Sequence, residues 1–494
     1  MKLRELFESI PGIRCVRLGC EEVGGLAYHS RTVQKGDLFI AVRGFQADGH
    51  DFLEEALRNG ACALLVEDLE KVPAPLPGEI SIIQATNTRQ AMALVADAFY
   101  RHPSGKLRLV GVTGTNGKTT TAYLVESIFR LAGRMTGLVG TVTYRIGTQE
   151  LPVGRTTPES VDLQKMLAEM VGQGVEMAAM EVSSHALDLH RADGCEFAVS
   201  VFTNLSQDHL DYHRDMENYF AAKRKLFTGY GNISTKKAAI NIDDSYGKRL
   251  LEELQGEAFT YGTSPEARLR GELLQLHLQS SSVRVAYEGK ESEFDAPLVG
   301  HFNLYNIMAA ISVALLLGLS LEEAVEGVMG CPGVPGRFQA VDGGQDFAVI
   351  VDYAHTPDSL AKAIQAAKGI ARGRVITVFG CGGDRDRGKR PLMGRYSGEL
   401  SDYTVITSDN PRSEDPREII GEIEAGIREV AGAERYEIVV DRRAGIKRAI
   451  ELASSGDVVL IAGKGHERGQ IFADRVVPFE DYQVARELLR SRGG

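Results

Sequence analysis

The segment LVGVTGTNGKTTT, residues 109–121, places a lysine and several hydroxyls behind a glycine-rich turn. An apolar run gives way to Gly114, Thr115 and Asn116. Gly117, Lys118, Thr119 and Thr120 follow and open a helix. Backbone N–H groups of such a turn wrap phosphate oxygens, and the helix N-terminus adds partial positive charge. The lysine reaches the β/γ-phosphates and the hydroxyl meets Mg²⁺. The strict spacing G-x-x-x-x-G-K-[ST] would put glycine at 112, where the chain has Val112; Gly114 supplies a loop glycine nearer the lysine. The bland alternative is a glycine-rich turn with a surface lysine. The strand–loop–helix context favours nucleotide binding.

Other stretches add acids, imidazoles and cations. MEVSSHALDLHR, residues 180–191, ends a strand with Glu181 and continues through Ser183, His185 and Arg191. TNLSQDHLDYH, 203–213, offers Asp208, His209, Asp211 and His213, and FAAKRKLF, 220–227, carries three cations including Lys223. Carboxylate and imidazole beside a phosphate loop are plausible Mg²⁺ ligands. Each is weak alone: Asp208 could cap a helix and His209 could be a satisfied core histidine. TSDNPRSED, 407–415, sets Asp409, Asn410, Pro411 and Arg412 just past an apolar strand. Proline stiffens this turn, and ligands of open α/β sheets bind beyond strand carboxyl ends.

The elements that must position these groups follow from periodicity. YRHPSGKL (100–107), which follows a helix-like stretch, and proline-rich CPGVPGR (331–337) read as linkers. They divide the chain into 1–105, a smaller N-terminal α/β unit, 106–335, a central phosphate-loop unit, and 336–494, a C-terminal Rossmann-like unit. Strands alternating with helices imply parallel sheets covered on both faces. LLQLHLQSSSVRVAYEG alternates and reads as a hairpin appended to the central unit. The fold class is therefore α/β in three domains.

The 494 residues carry a formal charge of -11 and are 43% hydrophobic and 25% charged. This excludes a broad nucleic-acid surface, which needs clustered Lys and Arg. Six cysteines show neither C-x-x-C nor a zinc spacing and read as buried cytosolic thiols. No signal peptide is evident, and IMAAISVALLLGL (307–319) is too short to span a bilayer comfortably.

Taken together, GTNGKTT, TTP (156–158), EVSSHAL, NLSQDHLDYH, HFNLYN (301–306), PGRFQ (335–339), DYAHTPDS (352–359), GCGGDRDRGKRPLM (380–393), SDNPRSEDP and AGKGHE (462–467) stand in the order found in the Mur ligases. The resemblance runs over the whole chain, SRTVQKGDLFIAVRGFQADGHDF (30–52) included. It implies a cytoplasmic ATP-dependent, ADP-forming ligase of peptidoglycan synthesis. Its substrates would be ATP, UDP-N-acetylmuramoyl-L-alanyl-D-glutamate and meso-diaminopimelate, joined through an acyl phosphate. No membrane insertion is implied, and a monomer is expected.

Residue by residue, the resemblance implies Thr119 and Glu181 on a first Mg²⁺. Glu181, His209 and a CO₂-carbamylated Lys223 would hold a second. Lys118 would neutralise the transferred phosphoryl group. Asn303 and Asn306 match adenine-side contacts, and Arg337 and Asp352 match the closure of the third domain over ATP. Ser30, Phe45, Gln46 and Ala47 match uridine contacts; Thr156, Thr157, Ser183 and Arg191 match the muramoyl dipeptide. Arg385, Asp409, Asn410, Pro411, Arg412, Gly463 and Glu467 match the acceptor site, with Arg412 on the distal carboxylate and Glu467 on the ammonium. The chain departs from the family at His29, Phe45 and Leu189. A folylpolyglutamate-synthase-like ligase is the runner-up but would lack the N-terminal block and the DNPR turn. A non-catalytic nucleotide-binding protein is the rival from another class.

Overall fold

A computed structural model describes residues 1–7, 10–45, 47–76, 78–277 and 279–492. Three large sheets follow one another along the chain. The first has five strands in the order Ile13–Arg17, Ser81–Ala85, Ala63–Val66, Asp37–Ile40, Gly25–Ala27. Only Ile13–Arg17 runs antiparallel to its neighbour. That edge strand is largely exposed and lacks a clean alternation, so its sequence gives little sign of it.

The central sheet has eleven strands. Six form its parallel heart, in the order Phe259–Gly262, Ala238–Asn241, Val199–Phe202, Arg108–Thr113, Met177–Glu181, Thr136–Val139. Both faces of these strands are covered, which explains their near-continuous apolar runs. The alternating stretch at 273–289 falls in two antiparallel strands, Leu269–Leu276 and Ser281–Tyr287. With Lys290–Ala296 they extend this same sheet rather than standing apart from it. The apolar stretch at 307–319 falls mainly in the buried helix His301–Leu316. Among the described residues no helix is long and apolar enough to cross a membrane.

The third sheet orders Gln339–Ala340, Ala348–Asp352, Val458–Ala462, Val375–Phe379, Tyr403–Ile406, Tyr436–Ile438. All pairs but the first are parallel. The carboxyl ends of Ala348–Asp352, Val458–Ala462 and Tyr403–Ile406 lead directly into the segments that carry Asp352, Gly463 and Asp409.

Candidate active site

The phosphate loop links strand Arg108–Thr113 to helix Lys118–Leu131. Gly114 (φ +148°) and Gly117 (φ +87°) adopt backbone conformations that favour glycine. A Cβ at 114 would lie 1.9 Å from Thr203 Oγ1, and one at 117 would lie 2.3 Å from Asn306 Oδ1. The TNLS segment clamps the loop. Asn116 N–H donates to Asn204 Oδ1 (3.0 Å), Thr203 Oγ1 donates to Asn116 O (2.7 Å), and Thr115 Oγ1 donates to Ser206 O (3.1 Å). Thr119 and Thr120 sit buried in the first helical turn.

Glu181 closes the neighbouring strand and is 1% exposed. It accepts from Thr119 Oγ1 (3.0 Å), Thr141 N–H (2.7 Å) and Thr141 Oγ1 (3.0 Å). Thr141 escaped the sequence reading, since nothing in TVTY distinguishes it. Among the described residues no three His, Cys, Asp or Glu side chains converge as a metal cluster. The oxygen set is one hydroxyl and one carboxylate. That donor set fits Mg²⁺, which takes one or two carboxylates and otherwise water and phosphate oxygens.

Lys118 Nζ folds back to donate to the carbonyls of Gly114 (2.9 Å) and Thr115 (2.8 Å). Lys223, on helix Met216–Arg224, is buried. Its Nζ donates to the same Gly114 carbonyl at 2.7 Å and lies 4.4 Å from the Tyr219 ring centre. Burial, and then the charge of Lys118, push the Lys223 amine well below the usual lysine range. Lys225 instead pairs with Asp188 at 2.8 Å. His209 has a left-handed backbone (φ 53°) and packs edge-on against His185 and Tyr219, the ring that also meets Lys223. Its side chain is 45% exposed, and partial burial still lowers its pKa, opposed by Asp208.

The C-terminal unit seats on this loop. Arg337 donates to Thr119 Oγ1 at 3.1 Å, with its guanidinium 4.7 Å from the Tyr353 ring centre. Asp352 accepts from the backbone of Phe338 and Ala354 (2.7 and 2.8 Å); burial raises its pKa and nearby Arg337 opposes the rise. Asp358, a residue the sequence reading passed over, accepts from Asn116 Nδ2 (3.3 Å) and Ser206 Oγ (3.1 Å). Asn303 and Asn306 are buried, joined by an amide hydrogen bond of 2.8 Å beside the loop glycine.

The residues expected at the dipeptide form a chain leading to Glu181. Thr156 Oγ1 lies 3.1 Å from Thr141 Oγ1, and Thr157 Oγ1 donates to Glu181 O at 2.8 Å. Arg191 meets Thr157 O (3.4 Å) and Glu159 (3.0 Å), while Ser183 caps helix Ser184–Asp188, which Leu189 terminates. In the first unit Ser30, preceded by His29, donates to Glu55 at 2.7 Å. Phe45, 76% exposed, stands edge-on to Tyr212 of the central unit at 6.1 Å. Ala47 accepts from Gly44 N–H at 2.8 Å, and Gln46 lies outside the described residues.

Past strand Tyr403–Ile406 the DNPR turn is mostly buried. Arg412 has φ 51°, and its guanidinium donates to Gly383 O at 2.7 Å. Arg385 is exposed on the same loop and donates to Asp384 O. Gly463 (φ +114°) admits Asp409, whose Oδ2 would lie 2.7 Å from a Cβ there. Pro411 packs over Gly383. Asn410 Nδ2 donates to Glu467 Oε2 at 2.7 Å. The Asn410 oxygen is already taken by Lys464 Nζ (2.8 Å) and Ile471 N–H (3.0 Å), so it offers a ligand ammonium less than its residue type suggests.

Comparison with known proteins agrees with this geometry. The families described as Mur ligase family catalytic domain, Mur ligase middle domain, and Mur ligase glutamate ligase domain match residues 22–100, 112–314 and 336–465. A protein of Solibacter usitatus (strain Ellin6076) named UDP-N-acetylmuramoyl-L-alanyl-D-glutamate–2,6-diaminopimelate ligase is 45% identical over 495 residues, covering 100% of this chain and 99% of its own. One of the same name from Geobacillus kaustophilus (strain HTA426) is 44% identical over 497 residues, with both chains fully covered. A solved structure bearing that enzyme name superposes with a TM-score of 0.69 at 32% identity, covering 100% of this chain and 99% of that one. With such identity over its whole length, the chain belongs to the Mur ligase family.

Proposed function

We propose that the chain is an ATP-dependent, ADP-forming ligase that adds meso-diaminopimelate to UDP-N-acetylmuramoyl-L-alanyl-D-glutamate in peptidoglycan biosynthesis. The observation that carries this most is a pairing of two sites. A phosphate loop with a buried carboxylate lies under a C-terminal unit whose strand ends present guanidinium and carboxylate together. The N-terminal match at residues 22–100 disfavours the folylpolyglutamate-synthase-like alternative, which leaves that block without a purpose. The three functional units are taken as 1–105, 106–335 and 336–494, supported by the change of sheet at each border.

A carboxylate oxygen of the D-glutamyl end attacks the γ-phosphorus, and the bond to ADP breaks. The acceptor amine, having lost a proton, then attacks the acyl carbon, and phosphate leaves. Two anions must approach in the first step, so the loop N–H groups and Lys118 hold the phosphates while positive charge gathers between them. Mg²⁺, when bound, supplies much of that charge. Thr119 and Glu181 suit one ion; Glu181, His209 and a modified Lys223 suit a second. The Lys223 amine adds CO₂ by forming an N–C bond and releasing a proton, which converts a cation into an anionic carbamate. Its burial and the shared Gly114 carbonyl support the neutral amine this requires.

Thr156, Thr157, Ser183 and Arg191 are assigned to the dipeptide, and Ser30, Phe45, Gln46 and Ala47 to the uridine end. Asn303 and Asn306 are assigned to the adenine side. Contacts of Arg337 with Thr119 and of Asp358 with Asn116 support closure that keeps water from the acyl phosphate. Arg412 and Arg385 take the distal carboxylate, and Glu467 takes the ammonium. The enzyme works on small molecules, in the cytoplasm, as a monomer. ADP formation is the test: it should require the UDP-dipeptide and the amino acid together. Steady ADP formation with neither would contradict the ligase reading.

A further inference from the structure

Lys464 belongs to no step described so far, yet it is one of the largest fully buried side chains in the molecule. It sits between Gly463 and Glu467 with its Nζ 2.8 Å from Glu467 Oε2 and 2.8 Å from Asn410 Oδ1. Asn410 Nδ2 donates to the same Glu467 oxygen at 2.7 Å, and Ile471 N–H donates to Asn410 Oδ1 at 3.0 Å. The three side chains therefore form a closed ring of hydrogen bonds. Because Lys464 Nζ and Ile471 N–H can only donate and both point at Asn410 Oδ1, the Asn410 amide has a single orientation. That orientation turns its NH₂ toward Glu467. Glu467 Oε2 is then used twice within the protein, and its side chain keeps 30% exposure. Oε1 is the oxygen left for a ligand.

We propose that Lys464 is a positioning residue for the amino-acid acceptor. It fixes Glu467 so that one carboxylate oxygen, and only one, faces the acceptor's distal ammonium. This rests on the assignment of Glu467 and Arg412 to the acceptor. Without its lysine the half-buried Glu467 carboxylate would turn toward Asn410 alone, and the oxygen meant for the ammonium would no longer be held in place. The ring also explains why the DNPR turn needs asparagine at 410. Aspartate could not donate to Glu467, and alanine would leave Lys464 with one partner fewer.

The test compares Lys464→Met with Glu467→Gln, the double variant and Arg412→Ala. KM is measured for meso-diaminopimelate, ATP and UDP-dipeptide, beside melting temperature. The expected result is a rise in KM for diaminopimelate of at least tenfold in Lys464→Met, with the other two KM values within twofold. The double variant should be no worse than Glu467→Gln alone, because both changes act on one carboxylate. A lower melting temperature with all three KM values unchanged would overturn the proposal, as would fully multiplicative effects in the double variant. If Arg412→Ala also leaves the diaminopimelate KM unchanged, the acceptor assignment itself fails. If Arg412→Ala raises it and Lys464→Met does not, only the role of Lys464 fails. Should the methionine variant not fold, Lys464→Gln, which keeps a donor, carries the same comparison. Failure of both to fold would overturn the proposal in favour of a purely structural lysine.

Discussion

Lys118 and Lys223, carried by two different helices of the central unit, donate to one carbonyl oxygen, that of Gly114. Two ammonium groups at one carbonyl, one buried and one half-buried, repel each other, and low dielectric magnifies the cost. Lys223 is the one pushed well below the usual lysine range, with burial first and Lys118 second among the causes. A neutral amine beside the nucleotide loop can be carbamylated, and the product would attract the lysine that now repels it.

Lys223→Ala should therefore abolish turnover while leaving ATP binding within a few-fold of the parent. A small carboxylic acid added to that variant should restore part of the rate, since it replaces the missing anion. Activity of the unaltered enzyme should fall in CO₂-free buffer and return with bicarbonate. Rates indifferent to bicarbonate, together with no rescue, would remove the carbamate from the account.

Gly117→Ala places a Cβ 2.3 Å from Asn306 Oδ1 at a left-handed φ of +87°. Strain of about 1–3 kcal/mol weakens ATP binding by roughly 5–150-fold. Calorimetric titration with ATP checks this. Unchanged affinity would mean that the loop relaxes freely and that the Asn306 contact does not hold it.

The parts of this site legible in sequence are those where residue type alone dictates backbone or chemistry. Gly114, Gly117 and Lys118 announce a phosphate loop, and Pro411 with Arg412 announces a rigid cationic turn. Lys464 lies inside AGKGHE without announcing a role, because a lysine in sequence reads as solvated. Only the closing of Asn410 and Glu467 around it reveals a buried donor. Thr141 and Asp358 were hidden for a similar reason: they act across long sequence separations on Glu181 and Asn116. In the fold, apolar parallel strands stood out, whereas the exposed edge strand Ile13–Arg17 did not. The alternating hairpin was visible, but its merger into the central sheet depends on pairing of Leu269 and Arg270 with Tyr261 and Gly262, which no local pattern encodes.

Glu414 sets an acid limit beside the acceptor turn. Arg390, fully buried, binds it through two hydrogen bonds of 2.8 and 2.9 Å and holds its carboxyl down at about 2. A carboxyl lowered in the folded state stabilises the protein above its ordinary pKa of about 4.3. That stabilisation is lost as pH falls from there through about 2. The melting temperature should drop across this window, and Glu414→Gln should flatten the drop while lowering stability at neutral pH. Parallel curves for the two proteins would show that the pair contributes nothing.

The most direct measurement is phosphate release from ATP with UDP-N-acetylmuramoyl-L-alanyl-D-glutamate and one acceptor at a time, meso-diaminopimelate or L-lysine. Lysine lacks the distal carboxylate and would leave Arg412 without its partner. The lost charged hydrogen bonds amount to about 1.5–3 kcal/mol, roughly 10–150-fold in kcat/KM. The account predicts strong release with diaminopimelate and at least tenfold less with lysine. Equal or greater release with lysine would contradict it.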